Sequence, residues 1–219
     1  MELPFYKNVP PELQEFITTE ILPLYTAFDA AHQRDHAETV IQESMHLSQF
    51  YKVQPAMVYT IAACHDLGLC EGREHHHEIS GRIIRNMDML HQWFTAEEIE
   101  VMAEAAEDHR ASAKQAPRSI YGKIVAEADR LIDVDLVLSR TLQYGYAHYP
   151  ELSKAEHFQR MLQHLHEKYA EGGYLKLWIP ESPNAQRLEK LRSIIAQPSV
   201  LHEWFETHYE ELAPKHCKD

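Results

Sequence analysis

Imidazoles and carboxylates recur in this chain at positions that helical spacing turns toward the interior. His36 lies four residues before Val40, so the two share one helix face. His65 follows Val58, Ile61 and Ala62 on an apolar stretch, and Asp66 comes directly after it. His109 stands three and four residues beyond Ala106 and Ala105. Asp129 sits four after Val125 and three before Ile132, again on an apolar stripe. A lone histidine on such a face is ordinarily a hydrogen-bonded core residue, and a lone aspartate a cap or half of an ion pair. Burying an unpaired carboxylate costs several kcal/mol, so Asp66 and Asp129 both need cationic partners. One metal ion held by His36, His65, Asp66 and Asp129 satisfies all four groups at once. Histidine is the commonest metal ligand, and this chain has 16 of them.

Three segments carry a family resemblance. AAHQRDHAETV holds an isolated histidine, IAACHDLGLC an adjacent His-Asp pair ending an apolar stretch, and KIVAEADRLIDVD a distant aspartate. Together, over about residues 25 to 140, they resemble the HD superfamily of metal-dependent phosphohydrolases. His36, His65, Asp66 and Asp129 match that family's metal ligands in order and approximate spacing. The resemblance implies an all-α fold, a single helical bundle of the HD-domain type, and one or two divalent ions (Mn, Mg, Fe or Ni). Asp66 is then also the catalytic carboxylate.

Members with two metals usually place two more histidines between the pair and the last aspartate. EHHHEISGRII offers His75, His76 and His77, and EDHRASAK offers His109. His77 is favoured, with His76 its close rival, because small residues (Ser80 and Gly81) follow three and four positions later. With both extra histidines bound, Asp66 would bridge two ions; otherwise they would orient a phosphate beside one. Arg110 and Lys114 are the expected phosphate-binding cations, ahead of Arg82, Arg118 and Lys123. Glu71 and Glu74 lie close enough in sequence to act as general acid or base.

No GxxxxGK loop is present, so a phosphate would rest on metal and side chains. Leu69 and Cys70 stand where one branch has a lysine after His-Asp-x-Gly, which argues against the cyclic-dinucleotide phosphodiesterases. The longer motifs of the deoxynucleotide triphosphohydrolases and alarmone hydrolases are not evident. The expected activity is hydrolysis of a phosphoester or phosphoanhydride of a nucleotide or small phosphorylated metabolite. The alternatives are an HD-type non-haem di-iron oxygenase and a metal-containing regulatory or binding protein.

These residues need helices to position them. The 7 glycines in 219 residues are too few for a turn-rich β protein, and periodicity of 3.6 residues dominates. A first helix is expected through LQEFITTEILPLY, disturbed by Pro23, and a second over about 35 to 51. A third starts at Pro55 and is apolar almost all round, hence central. A fourth covers 77 to 91, with Ile79, Ile83, Met87 and Leu90 in register. The fifth opens at Thr95 with Glu98 three residues on, a capping box. A sixth follows Ser119 and runs past Leu138, with a break from Gly145 to Pro150. Two or three helices fill the remainder. The expected division is a core over 1–150 and a C-terminal helical extension over 151–219 packed on it.

The apolar fraction of 44% and charged fraction of 25% are ordinary for a soluble globular protein. No apolar run reaches about 18 residues, so no membrane span or membrane partner is expected. MELPFYKNVPPELQEF lacks the pattern of a secretory signal. Cys64, Cys70 and Cys217 form no disulfide framework, which points to the cytoplasm. A net charge of −13 argues against a nucleic-acid partner, but a small phosphorylated substrate, expected to be a nucleotide, can still bind where a metal supplies local positive charge. Tyr144, Tyr146 and Tyr149 are read as base-stacking, as a lid, or as an anchor for a helix end.

Overall fold

The computed structural model describes residues 8–28 and 33–214, and His216 and Cys217 lie outside them. Every regular element among the described residues is helical. Pro11 opens α1 (Pro11–Phe16) at a position where its missing N–H has no intrahelical role. The expected disturbance at Pro23 takes a definite form. Its ring crowds the Thr19 carbonyl and offers it no donor. The chain widens into a π turn over Ile17–Ile21, then tightens into a 3₁₀ turn over Leu22–Ala27. Leu13, Ile17, Ile21, Leu22 and Tyr25 are all buried along this run.

α2 (Arg34–Ser48) buries His36, Ala37, Val40, Ile41, Ser44 and Met45, a stripe at 3.6-residue spacing. α3 (Pro55–Cys64) is buried at every position from Met57 to Cys64, as its uniform apolarity requires. α4 (His76–Arg85) is shorter than the 77–91 expected. The chain leaves the helix at Asn86 (φ −96°, ψ 7°), and a separate 3₁₀ turn spans Asp88–Gln92. Its buried stripe is Ser80, Gly81 and Ile84, while Ile79, Ile83 and Met87 are only half-buried.

α5 (Ala96–Glu107) begins with the expected capping box. Glu98 N–H donates to the Thr95 hydroxyl at 3.2 Å, and Thr95 N–H donates back to the Glu98 carboxylate at 2.9 Å. The single helix expected from Ser119 past Leu138 is two: α6 (Ile120–Ala128) and α7 (Val134–His148). Asp129 ends the first, and the Asp133 carboxylate accepts from Leu136 N–H to cap the second. α7 runs through Gly145 instead of breaking there, and stops before Pro150. The remaining helices are α8 (Lys154–Tyr169), α9 (Asn184–Ile195) and α10 (Pro198–His208).

The helices divide into two compact units. The first comprises residues 1–130 with 177–182, the second 131–176 with 183–219. α7, which the sequence reading groups with the first 150 residues, belongs to the second. In the first unit α2 packs on α3 and α6, α5 packs on α4 and α6, and α3 touches α5 and α6. In the second, α7 packs on α8, α8 on α9 and α9 on α10. Ile179 of the returning stretch is part of the first unit's core.

Candidate metal centre

Four helix ends and one helix face of the first unit converge on Asp66. α2 supplies His36 from its first turn. α3 ends at Cys64, and His65 follows it with near-helical dihedrals (φ −57°, ψ −33°), whereas Asp66 leaves the helix (φ −109°, ψ 7°). On a continuing helix, neighbours would point about 100° apart. The break lets the adjacent His65 and Asp66 face the same point. α4 brings His76 as its first residue, His109 lies two residues past α5, and Asp129 closes α6.

The two oxygens of Asp66 face different groups. Oδ2 lies 3.3 Å from His65 Nε2 and 3.6 Å from His36 Nε2. Asp129 Oδ1 completes that group, 3.3 Å from His36 Nε2 and 3.8 Å from His65 Nε2. Oδ1 of Asp66 lies 3.4 Å from His76 Nε2 and 3.3 Å from His109 Nε2, and these two ring nitrogens are 3.2 Å apart. His36, His65 and Asp66 form one group able to hold a metal ion; Asp66, His76 and His109 form another.

Ring tautomers follow from the far side of each imidazole. Nδ1 of His65 donates to Ala62 O at 2.8 Å, that of His76 to Arg73 O at 2.7 Å, and that of His109 to Ala106 O at 2.6 Å. A carbonyl can only accept, so each Nδ1 carries the hydrogen, and in the neutral ring Nε2 is left as a lone pair aimed inward. His65 Nε2 is buried and finds no hydrogen-bond partner among the described residues. Acceptor atoms that converge in this way can hold a shared cation. Spacings of 3.2 to 3.8 Å suit ligands bound at about 2.0–2.2 Å to one centre. Mixed imidazole and carboxylate donors suit a divalent metal ion.

The electrostatics agree. Burial pulls the His36 imidazole down, but the Asp129 and Asp66 carboxylates outweigh it and lift it to about 9. Burial likewise opposes charge on Asp66 and Asp129. The imidazoles around them hold both carboxyls below the usual carboxylate range. The same two carboxylates that favour a proton on His36 would favour a cation placed between them. His76 is pushed down to about 4 by burial and by His109, so near neutral pH it is an unprotonated donor.

The expected ligands His36, His65, Asp66 and Asp129 are thus brought together, and so is His109. The structure places His76, and not the favoured His77, in the group with Asp66 and His109: His77 has its nearest carboxylate in Glu78, at 3.9 Å. The reason lies in Gly68, which sequence reasoning passed over. A Cβ there would meet His76 O at 2.0 Å and Ser80 N at 2.7 Å, so only glycine lets the loop after Asp66 lie against the start of α4. Gly68 N–H donates to the Ser80 hydroxyl at 2.9 Å, fixing that contact. Ser80 is four residues past His76, on the same face of the helix.

Arg110 donates through Nη1 to Glu74 O at 2.7 Å, beside the start of α4. Lys114 is exposed, with no hydrogen bond or ion pair among the described residues. Arg82 is engaged by Glu71, and Arg118 by Glu104, Glu107 and Asp108. Glu71 is therefore occupied, and the side chain of Glu74 is 87% exposed. Arg130, also unforeseen, is buried and donates to His109 O at 2.8 Å, tying the end of α6 to the end of α5. The tyrosine trio belongs to the second unit. There Tyr144 stacks on His148, Tyr146 donates to Tyr209 O, and Arg160 lies over the rings of Tyr144 and Tyr149.

Comparison with known proteins finds one similarity for this part of the chain. A family model described as HD domain matches residues 34–132. The comparisons with curated proteins and with solved structures returned no match.

Proposed function

We propose that the chain, whose residues 34–132 match a family model described as HD domain, is a metal-dependent phosphohydrolase. Its substrate would be a nucleotide or another small phosphorylated metabolite. The observation that carries the proposal is the sharing of Asp66, with one oxygen toward His36 and His65 and the other toward His76 and His109. His36, His65, Asp66 and Asp129 would hold one ion, and Asp66, His76 and His109 a second. Bound divalent ions would supply Lewis-acid polarisation of a phosphoryl oxygen and a water acidic enough to attack it near neutral pH.

The chain's own groups set the direction of approach. His36, His65, Asp66 and His109 are at most 5% exposed at their side chains, whereas Asp129 is 21% and His76 15% exposed. A substrate would therefore enter on the side of Asp129 and His76. Arg110 keeps guanidinium donors beyond the one given to Glu74 O and would take a phosphate oxygen there. Lys114 would add charge without fixed geometry. A net charge of −13 supports a small substrate over a nucleic-acid backbone. The free thiols of Cys64 and Cys70 support a reducing compartment such as the cytoplasm. Among the described residues no helix is long and apolar enough to cross a membrane.

The test is release of phosphate or pyrophosphate from a panel of nucleotides with added Mn²⁺, run beside Asp66→Ala with metal content measured on both. Turnover lost together with both ions in Asp66→Ala is the expected result. The two histidine-carboxylate groups also suit a di-iron oxygenase. Oxygen consumption without phosphate release, at about two irons per chain, would favour that reading instead.

A further inference from the structure

The Tyr25 phenol is fully buried and lies at the one place where backbone geometry decides the centre. It donates to Ala63 O at 2.9 Å and accepts from Asp66 N–H at 3.4 Å. Both partners are groups that the end of α3 leaves without a helical partner. On a continuing helix Asp66 N–H would donate to Ala62 O, but that carbonyl accepts from His65 Nδ1. Ala63 O would accept from Leu67 N–H, but Leu67 has already entered the following 3₁₀ turn. One hydroxyl therefore satisfies a donor and an acceptor that the break exposes in the interior, where an unsatisfied polar group is costly.

We infer that Tyr25 is a positioning residue for the metal centre: its hydroxyl clamps the backbone between Ala63 and Asp66 in the broken conformation that aims the Asp66 carboxylate at both groups of histidines. It rests on the metal reading above. It assigns work to a residue 41 positions from Asp66 that touches neither ion nor substrate. Because Asp66 is shared, loosening its backbone must weaken both binding steps together. A contact beside one histidine would weaken only one.

Tyr25→Phe tests this. It keeps the ring that packs edge-on against Phe28 at 5.2 Å between centroids and removes only the hydroxyl. Metal-stripped wild type and variant are titrated with Mn²⁺ by calorimetry. Ile17→Val, a fully buried core change away from the break, serves as the stability control. The expected result is a loss of Mn²⁺ affinity of about tenfold or more at both steps in Tyr25→Phe, with none in Ile17→Val. Unchanged affinity in a folded Tyr25→Phe protein, whatever its melting temperature, would overturn the inference. A second readout does not depend on the variant folding: amide hydrogen exchange of the wild type, in which the Asp66 amide should be protected despite lying outside a helix. Free exchange there would equally overturn it. Wild-type protein that takes up no Mn²⁺ would instead sink the metal reading, and the Asp66 amide would still decide whether Tyr25 holds this backbone.

Discussion

At the residue scale, the centre is a set of acceptor atoms whose hydrogens have been moved to the far side of their rings. The i−3 carbonyls that accept from His65, His76 and His109 leave each Nε2 turned inward and able to bind an ion. Such outer partners usually matter nearly as much as the ligands themselves. His76→Ala and His109→Ala should each reduce bound metal from about two ions per chain to about one, because the group around His36 keeps its own donors. His77→Ala should leave metal content unchanged. Elemental analysis of the three variants checks this, and a loss of metal in His77→Ala with none in His76→Ala would reverse the assignment.

At the element scale, ligands are placed by helix ends, and each end is fixed by a local device. Gly68 is the most demanding of them, because the atoms a Cβ would meet are backbone and cannot swing aside. Gly68→Ala should destabilise the fold by about 2 kcal/mol or more and weaken the His76–His109 group first. Thermal denaturation with and without Mn²⁺ would reveal it as a reduced stabilisation by metal. Thr95→Ala removes the α5 capping box and should cost about 1 kcal/mol while leaving metal affinity alone, since Thr95 opens the helix at the end opposite His109. Several elements were legible in advance. The apolar run after Pro55, the Thr95–Glu98 box and the inward stripe of α2 are local patterns. The split between α6 and α7 was not, because Val125, Ala128, Leu131 and Ile132 continue an apolar spacing through a stretch that the Asp133 cap interrupts.

At the scale of the whole molecule, the first unit is not a continuous piece of chain. Glu127 is fully buried on α6, and its carboxylate accepts from Trp178 N–H at 2.6 Å and Ile179 N–H at 3.4 Å. Tyr51 donates to Glu181 at 2.5 Å in the same stretch. Removing residues 151–219 would take those donors from a buried carboxylate and Ile179 from the core. A fragment ending at residue 150 should therefore not fold cooperatively. Ile179→Ala in the full chain should cost roughly 3 kcal/mol. Circular dichroism melts of both decide it, and a cooperative transition in the 1–150 fragment would refute it.

His36, His65, Asp129 and His109 carry an inward signal in the sequence because burial by helical period is a local property, whereas Asp66 is aimed by the break in the backbone that follows α3. Spacing from Val40, Ala62, Val125 and Ala106 is enough to turn each inward. Three things were decided only by tertiary structure: the choice of His76 over His77, the sharing of Asp66 between two groups, and the clamp by Tyr25. Neighbouring histidines at the start of one helix carry the same local signal. The close approach allowed by Gly68 separates them, and it joins elements that the sequence pattern treats as independent. The His76–His109 pair and the Tyr25–Asp66 pair span 33 and 41 residues. Contacts over such separations depend on how helices pack, which periodicity along a single helix does not encode.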